Sequence, residues 1–235
     1  MNDVQQTNLL ARLNKVKQTI QQAAENAKRS KSDITLLAVT KTQSIATIEQ
    51  AYKLGLTAFG ENYLQEAIPK IKALDPNISW HYIGHIQSNK TKLIAEYFSW
   101  VHTVDRIKIL KRLSEQRPNH LPPLNICFEI NINNEANKAG FYLSQIDEIN
   151  ACIEYIKAQS SLILRGLMCM PKLTDDINEQ QHNFAQMHQL LHKLNKTHHI
   201  TMDTLSMGTS YDLESAVSEG STILRIGQAI FGKRG

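Results

Sequence analysis

From residue 33 to residue 226 the sequence alternates short apolar runs with amphipathic stretches, and it does so eight times. Strands buried on both faces read as unbroken apolar runs, whereas surface helices show a 3.6-residue period. The strand-like runs are Asp33–Val39, Thr57–Gly60, Ser79–Gly84, Trp100–Thr103, Leu124–Ile132, Leu162–Leu167, Asp203–Leu205 and Thr222–Ile226. Between them lie helical patterns over Ala46–Leu54, Tyr63–Leu74, Asn89–Tyr97, Arg106–Gln116, Ser144 to about Ala158, Asn178–Asn195 and Tyr211–Glu219. Such alternation calls for a parallel sheet. Eight units in 235 residues suit a closed barrel, which takes about 250, better than an open doubly wound sheet. The expected class is α/β, a single (β/α)8 TIM-type barrel. Residues 1–30 add an N-terminal amphipathic helix, with Leu9, Leu10, Leu13, Val16 and Ile20 on its apolar stripe and Lys17 as the polar exception. Residues 1–235 are therefore read as one domain, the first helix packed on the barrel.

Local signals sharpen the boundaries. Gly55 is a helix stop, Asp105 is placed to cap the helix from Arg106, and Ser144 with Asp147 three residues later marks another start.

Charge and composition remove several function classes. Basic residues number 26 against 22 acidic, and no basic run exceeds the pairs Lys28-Arg29, Lys111-Arg112 and Lys233-Arg234. Nucleic-acid binding wants a basic stripe, so no nucleic-acid partner is expected. No apolar stretch reaches the ~18 residues of a membrane span, and the N-terminus lacks a signal-peptide core. Cys127, Cys152 and Cys169 are far apart and odd in number, as suits a reducing compartment. A cytoplasmic protein without membrane or metal is the expectation. His182, His188, His192, His198 and His199 crowd one region, but no HExxH pattern accompanies them. Ser206 and Ser210 lack the GxSxG setting of a hydrolase.

In a barrel of this kind, sites form where the strands end, and phosphate commonly binds after strands seven and eight. Lys41 stands just past strand one, in LLAVTKT. A partly desolvated lysine there is a nucleophile for an aldehyde; a solvated loop lysine is the other reading. After strand seven comes Ser206-Met207-Gly208-Thr209-Ser210, hydroxyls and a glycine leading into a helix. That arrangement makes an anion site, unless Ser210 only caps the helix. After strand eight, Gly227 and Gln228 follow, and Gly227 admits close backbone approach. Arg225 is a charge inside an apolar strand. Either it serves the mouth or it pairs with Glu129, Glu61 or Asp203. The mouths at Gly60–Tyr63, Gly84–Lys90, Asn131–Asn134 and Met168–Pro171 are further candidates. Two anion loops facing a lysine describe a pyridoxal phosphate site economically.

Seven segments then occur in order: LLAVTKT, FGENYLQE, WHYIGHIQSNK, HTVDR, RGLMCMP, LSMGTSYDLESAV and GSTILRIGQAIFG. Together they closely resemble the pyridoxal phosphate homeostasis protein family, relatives of the alanine racemase N-terminal barrel. The resemblance runs from about residue 33 to 232. It implies that Lys41 forms a Schiff base with the cofactor, pyridoxal 5'-phosphate. Ser206 and Ser210, with the backbone of Gly227 and Gln228, would cradle the phosphate. Arg225 would face the pyridine nitrogen, and Asn62 and His81 would lie beside the ring. It further implies a monomeric carrier or buffer of the cofactor, handing it to apo-enzymes that need it, with no established catalysis. The alternative is an amino-acid racemase. Racemases of this kind carry a second, β-rich domain that supplies another base, and this sequence does not extend into one; Tyr63, Tyr82 and Tyr211 are the candidate substitutes. Two departures stand out. Thr209 replaces the family's methionine and could add a hydroxyl near the phosphate. The sequence stops at Lys233-Arg234-Gly235, where many relatives continue.

Overall fold

The computed structural model describes residues 3–232. Residues 1 and 2 of the first helical range, and Lys233-Arg234-Gly235, lie outside the described residues. The chain opens with α1 (Asp3–Asn26) and proceeds through β1 (Thr35–Val39), α2 (Ile45–Lys53), β2 (Ala58–Glu61), α3 (Leu64–Ala73), β3 (Ser79–Tyr82) and α4 (Thr91–Tyr97). It continues with β4 (Trp100–Val104), α5 (Ile107–Gln116), β5 (Leu124–Ile130), α6 (Ile146–Lys157), β6 (Leu162–Cys169), α7 (Ile177–His198), β7 (Thr204–Ser206), α8 (Leu213–Ser218), β8 (Ile223–Ile226) and α9 (Gln228–Phe231). The strands are parallel and neighbour one another in chain order, and β1 pairs with β8 to close the barrel. The expected (β/α)8 architecture is therefore present. Because all the strands run the same way, every strand's C-terminal end opens on one rim.

The core has two parts. Between strands and helices lies a continuous apolar layer that includes Phe59, Phe98, Phe128 and Phe184, all fully buried. Inside the barrel, Leu37, Ala58 and Ile223 form a small separate apolar cluster with Ile83 and Trp100 against it. The rest of the interior is unusually polar, and His81, His102, Ser206 and Arg225 are all buried there.

The first helix buries Leu9, Leu13, Val16 and Ile20. It packs on α8 and α9, where Arg12 Nε donates to the Ile230 carbonyl at 2.7 Å. Leu10, expected on the buried stripe, is exposed. Lys17 reaches sideways instead: its Nζ donates to the carbonyl of Leu54, the C-cap of α2, where the helix dipole favours a cation.

Several local expectations are corrected. Asp105 does not cap α5; Arg106 holds the cap position, and its Nη1 binds the Asp105 carboxylate at 2.6 and 2.7 Å. Ser144 does not cap α6, which starts after Gln145 without a side-chain cap. The helix expected from Tyr211 begins at Leu213, so Ser210 is a loop residue and no cap. A one-turn helix, α9, follows β8 and carries no signal in the apolar pattern.

Candidate functional site

A cavity of about 540 Å³ opens at the C-terminal rim of the barrel. Lys41, Asn62, Ser210, Arg225, Gly227 and Gln228 all line it. Six of the eight residues singled out from the sequence are thus gathered at one place.

Lys41 follows β1 directly, and the backbone around it turns sharply: Gln43 N–H donates to the Thr40 carbonyl at 2.9 Å, and Thr42 has φ +67°. After β7 the chain must turn in the space between α8 and β8. Gly208 has φ +95°, and a Cβ there would meet Ala216 at 2.6 Å and Leu224 at 2.7 Å, so only glycine fits. The loop then wraps around Asp212, whose Oδ1 accepts the Thr209 N–H at 2.6 Å and its hydroxyl at 2.9 Å. The extra hydroxyl of Thr209 is therefore engaged within the loop. Ser210, next along, is exposed to the cavity. After β8, a Cβ on Gly227 would meet the Val39 carbonyl at 3.2 Å, which ties the absence of a side chain to close passage over β1.

Arg225 has three hydrogen bonds, none to a carboxylate. Nη1 donates to the Ser206 carbonyl at 2.6 Å and hydroxyl at 2.8 Å, and Nη2 donates to the Cys169 carbonyl at 2.8 Å. The carboxylates weighed as ion-pair partners are placed otherwise: Glu61 pairs with Lys70, Asp203 with Arg165, and Glu129 lines the cavity. A guanidinium has five N–H donors, and these three neutral acceptors engage only three of them. Burial lowers the Arg225 pKa.

Two expected site residues lie deeper. Ser206 is fully buried beneath Arg225 and does not line the cavity. His81 is also buried below the rim and does not line it. Its Nδ1 lies 2.9 Å from His102 Nε2, and His102 Nδ1 lies 2.8 Å from Ser206 Oγ. The second contact joins β4 to β7, which are not neighbours, so it crosses the barrel interior. His81 Nε2 continues the chain to Ser79 Oγ at 3.0 Å. Burial pushes His81 down to about 3 and His102 well below the ordinary value, so both are neutral near pH 7. An arginine can only donate. Ser206 Oγ therefore accepts from Arg225 and shares a further hydrogen bond with His102 Nδ1. With both imidazoles neutral, each ring gives one N–H and one acceptor nitrogen, so the chain Ser206–His102–His81–Ser79 can be satisfied at every link in either direction. Each link has one donor and one acceptor.

The cavity also holds Lys138, which the sequence did not single out, and Glu129, which it named only as an ion-pair partner for Arg225. Glu129 stands on β5, diametrically opposite β1 in an eight-stranded ring, and it lines the cavity. Burial pushes its carboxyl up to about 7, with Asp105 adding and Arg225 and Lys138 opposing. Lys138 lines the wall and donates to the carbonyls of Met170 and Pro171, tying the loop after β5 to the loop after β6. The strand-exit rule would have reached it had the loop after β5 been followed four residues past Asn134. Of the three tyrosines, Tyr211 lines the rim and its hydroxyl donates to Asp175. Tyr82 Oη donates to the His85 carbonyl and Tyr63 is exposed; neither lines the cavity. Among the described residues, Asn62 Oδ1 is one of five buried side-chain polar atoms without a protein hydrogen-bond partner, and the one of them on a residue that lines the cavity. Among the described residues, no cluster of three or more His, Cys, Asp or Glu could hold a metal, and no helix is long and apolar enough to cross a membrane.

Residues 12–235 match the family described as alanine racemase, N-terminal domain. The sequence is 49% identical over 221 residues to a pyridoxal phosphate homeostasis protein of Pseudomonas aeruginosa, covering 94% of this chain and 93% of that one. It is 42% identical over 238 residues to the protein of that name in Escherichia coli, covering 100% and 98%. Among solved structures, PipY of Synechococcus elongatus with pyridoxal phosphate bound superposes with a TM-score of 0.79 at 30% identity, covering 95% of this chain and 100% of that one.

Proposed function

The chain belongs to the pyridoxal phosphate homeostasis protein family, and from that premise we propose that it binds pyridoxal 5'-phosphate at the barrel mouth and carries or buffers the cofactor. The observation that carries this reading is the shared cavity of Lys41, Arg225, Ser210 and Gly227, contributed by three different loops and one strand. The residues fit the group. An exposed hydroxyl and a glycine-flanked turn suit a phosphate, a buried arginine suits an aromatic nitrogen, and the orphaned Asn62 Oδ1 awaits a donor. When bound, the cofactor supplies an aldehyde that bonds reversibly to a primary amine. Lys41 offers that amine as a Schiff-base partner. Ser210, with the backbone of Gly227 and Gln228, holds the phosphate, and Asn62 flanks the ring. Ser206 contributes by bracing Arg225, and His81 by supporting that brace through His102.

The reading extends to a monomer in the cytoplasm that gives the cofactor to apo-enzymes. It is supported there by three unpaired, buried cysteines and by a cavity open to the surface. The relatives are named for homeostasis and not for a reaction, which favours carriage over catalysis.

Borohydride reduction of the loaded protein, followed by peptide mapping, is the test. The adduct is expected on Lys41 and should be absent from that position in Lys41→Ala. An adduct found only on another lysine would overturn the reading. Handover is tested by mixing loaded protein with an apo-enzyme: reactivation should outpace release of the cofactor into buffer, and equal rates would leave buffering alone.

A further inference from the structure

The residues on either side of Lys41 are both held by one charge cluster on β2 and α3, of which Glu61 and Lys70 are buried. Thr40 donates its hydroxyl to Glu61 Oε1 at 2.6 Å, and its carbonyl accepts from Lys70 Nζ at 2.9 Å. Thr42 donates its backbone N–H to Glu66 Oε2 at 2.8 Å. Lys70 joins the two halves, 2.8 Å from Glu61 and 3.7 Å from Glu66. Glu66 and Lys70 are four residues apart on α3 and so share the face that meets the loop after β1.

Three features make this more than loop closure. First, Lys70 and Glu61 have side chains only 7% and 0% exposed. A lysine is almost never buried unless paired, and such a pair is a poor source of stability compared with apolar packing. Second, Thr42 sits at φ +67°, in the left-handed region that a β-branched residue disfavours. Strain of this kind persists only where the surroundings over-determine it, and it gathers at functional sites. Third, the bonds fall on residues 40 and 42 and so fix the direction in which the Lys41 side chain leaves the backbone.

We propose that Glu61, Lys70 and Glu66 are positioning residues for Lys41, clamping its two neighbours so that its amine is aimed at the cofactor's aldehyde. The inference rests on the reading of Lys41 given above. Bond formation between an amine and an aldehyde depends on approach geometry, and a displacement of ~1 Å can cost about a hundredfold. The phosphate contacts assigned above lie on the loops after β7 and β8, and none of the clamp's hydrogen bonds falls on them; Asn62 follows Glu61 directly, so Glu66, at the far side of the clamp, is the residue whose loss leaves the assigned ring and phosphate contacts in place.

The test separates attachment from docking. Wild type, Glu66→Ala and Lys70→Met are titrated with pyridoxal 5'-phosphate, which can bond to Lys41, and with pyridoxine 5'-phosphate, which has no aldehyde. Glu66 is 38% exposed, so its loss leaves the fold intact if Lys70→Met should prove too disruptive. Glu66→Ala should weaken the aldehyde ligand by about tenfold and change the alcohol ligand by no more than about twofold. Glu66→Gln keeps an acceptor oxygen for the Thr42 N–H and should restore most of the loss. In a Lys41→Ala background, Glu66→Ala should have no further effect on either ligand. Equal weakening of both ligands, or of neither, would overturn the clamp. A wild type that forms no adduct on Lys41 would instead remove the underlying reading, and the borohydride map tells the two failures apart.

Discussion

Arg225 Nη1 donates to both oxygens of Ser206, the carbonyl at 2.6 Å and the hydroxyl at 2.8 Å. Both bonds hold the guanidinium from below, a contact the sequence did not anticipate for Ser206. Its hydroxyl is enclosed between the guanidinium and His102 Nδ1, and it does not line the cavity. Ser206→Ala leaves the Arg225 bonds to two carbonyls but strips His102 Nδ1 of its partner. A buried polar group left unsatisfied costs about 1–3 kcal/mol. Urea unfolding should show that loss, while affinity for pyridoxine 5'-phosphate falls less than in Ser210→Ala. Unchanged stability with a larger loss of affinity would return Ser206 to the phosphate.

Ser210 and Gly227 should respond differently from each other. Ser210→Ala removes one hydroxyl from the cavity wall and keeps the backbone amides. One hydrogen bond to a charged group is worth about 1.5–3 kcal/mol, hence roughly tenfold to a hundredfold in affinity. A Cβ at Gly227 would stand 3.2 Å from the Val39 carbonyl and 3.3 Å from its Cβ. Alanine there is tight, and valine must push β1 away from the site. Gly227→Val should therefore bind more weakly than Ser210→Ala. Calorimetric titration decides the order, and unchanged affinity in both variants would mean that phosphate binds elsewhere.

Those two residues were legible because they obey a rule about strand exits that needs only strand number and order. Lys41 and Arg225 were legible for a related reason: a charge inside or just past an apolar run has few places to go. Ser206 and His81 were not, because their roles depend on depth. Ser206 is the last residue of a three-residue strand, and its side chain turns inward under Arg225. His81 lies one residue before the end of β3 and points into an interior that apolar periodicity would fill with hydrocarbon. The Lys70 clamp was invisible for a third reason. Glu61 and Lys70 are nine residues apart across a strand–helix junction, and only the packing of α3 against the loop after β1 brings them together. The cap signal at Asp105 misled because its carboxylate pairs with the neighbouring Arg106, and the one at Ser144 because Gln145 takes the cap position.

Glu129 makes a pH prediction with a definite sign. Its folded-state pKa is raised from 4.5 to about 7, chiefly by burial. The folded protein therefore holds an extra proton between those values, and the Glu129 contribution to stability is lost as pH rises through about 7. Glu129→Gln is neutral throughout. Its stability relative to wild type should be lowest near pH 4.5 and climb to a plateau above pH 7. The climb should be about 1–3 kcal/mol. Urea midpoints at four or five pH values measure it. A flat difference would show that Glu129 ionises freely in the cavity.

The same carboxyl sharpens the question of catalysis. Racemisation needs a base on each face of the substrate and a cofactor ring able to take up electrons. Lys41 could serve one face, and Glu129, across the mouth on β5, is the group best placed for the other; the tyrosines are less suited, since only Tyr211 lines the cavity and its hydroxyl is bound to Asp175. Against turnover stands Arg225. A guanidinium stays charged and is a poor proton donor, and here it is fixed by Ser206 and Cys169, so a ring nitrogen facing it would remain unprotonated and the ring a weak electron sink. The sink is the larger lever, because both half-reactions need it while a base on one face affects only inversion. No steady racemisation of alanine or other common amino acids is expected, even at high protein concentration. Exchange of the α-hydrogen with deuterated solvent is the sensitive measurement, since it registers proton removal without inversion. Slow exchange that is lost for one enantiomer in Lys41→Ala and for the other in Glu129→Gln would mean that the two bases act, each on its own face, and the sink alone is limiting. Exchange at catalytic rates, lost in Lys41→Ala, would make the protein an enzyme.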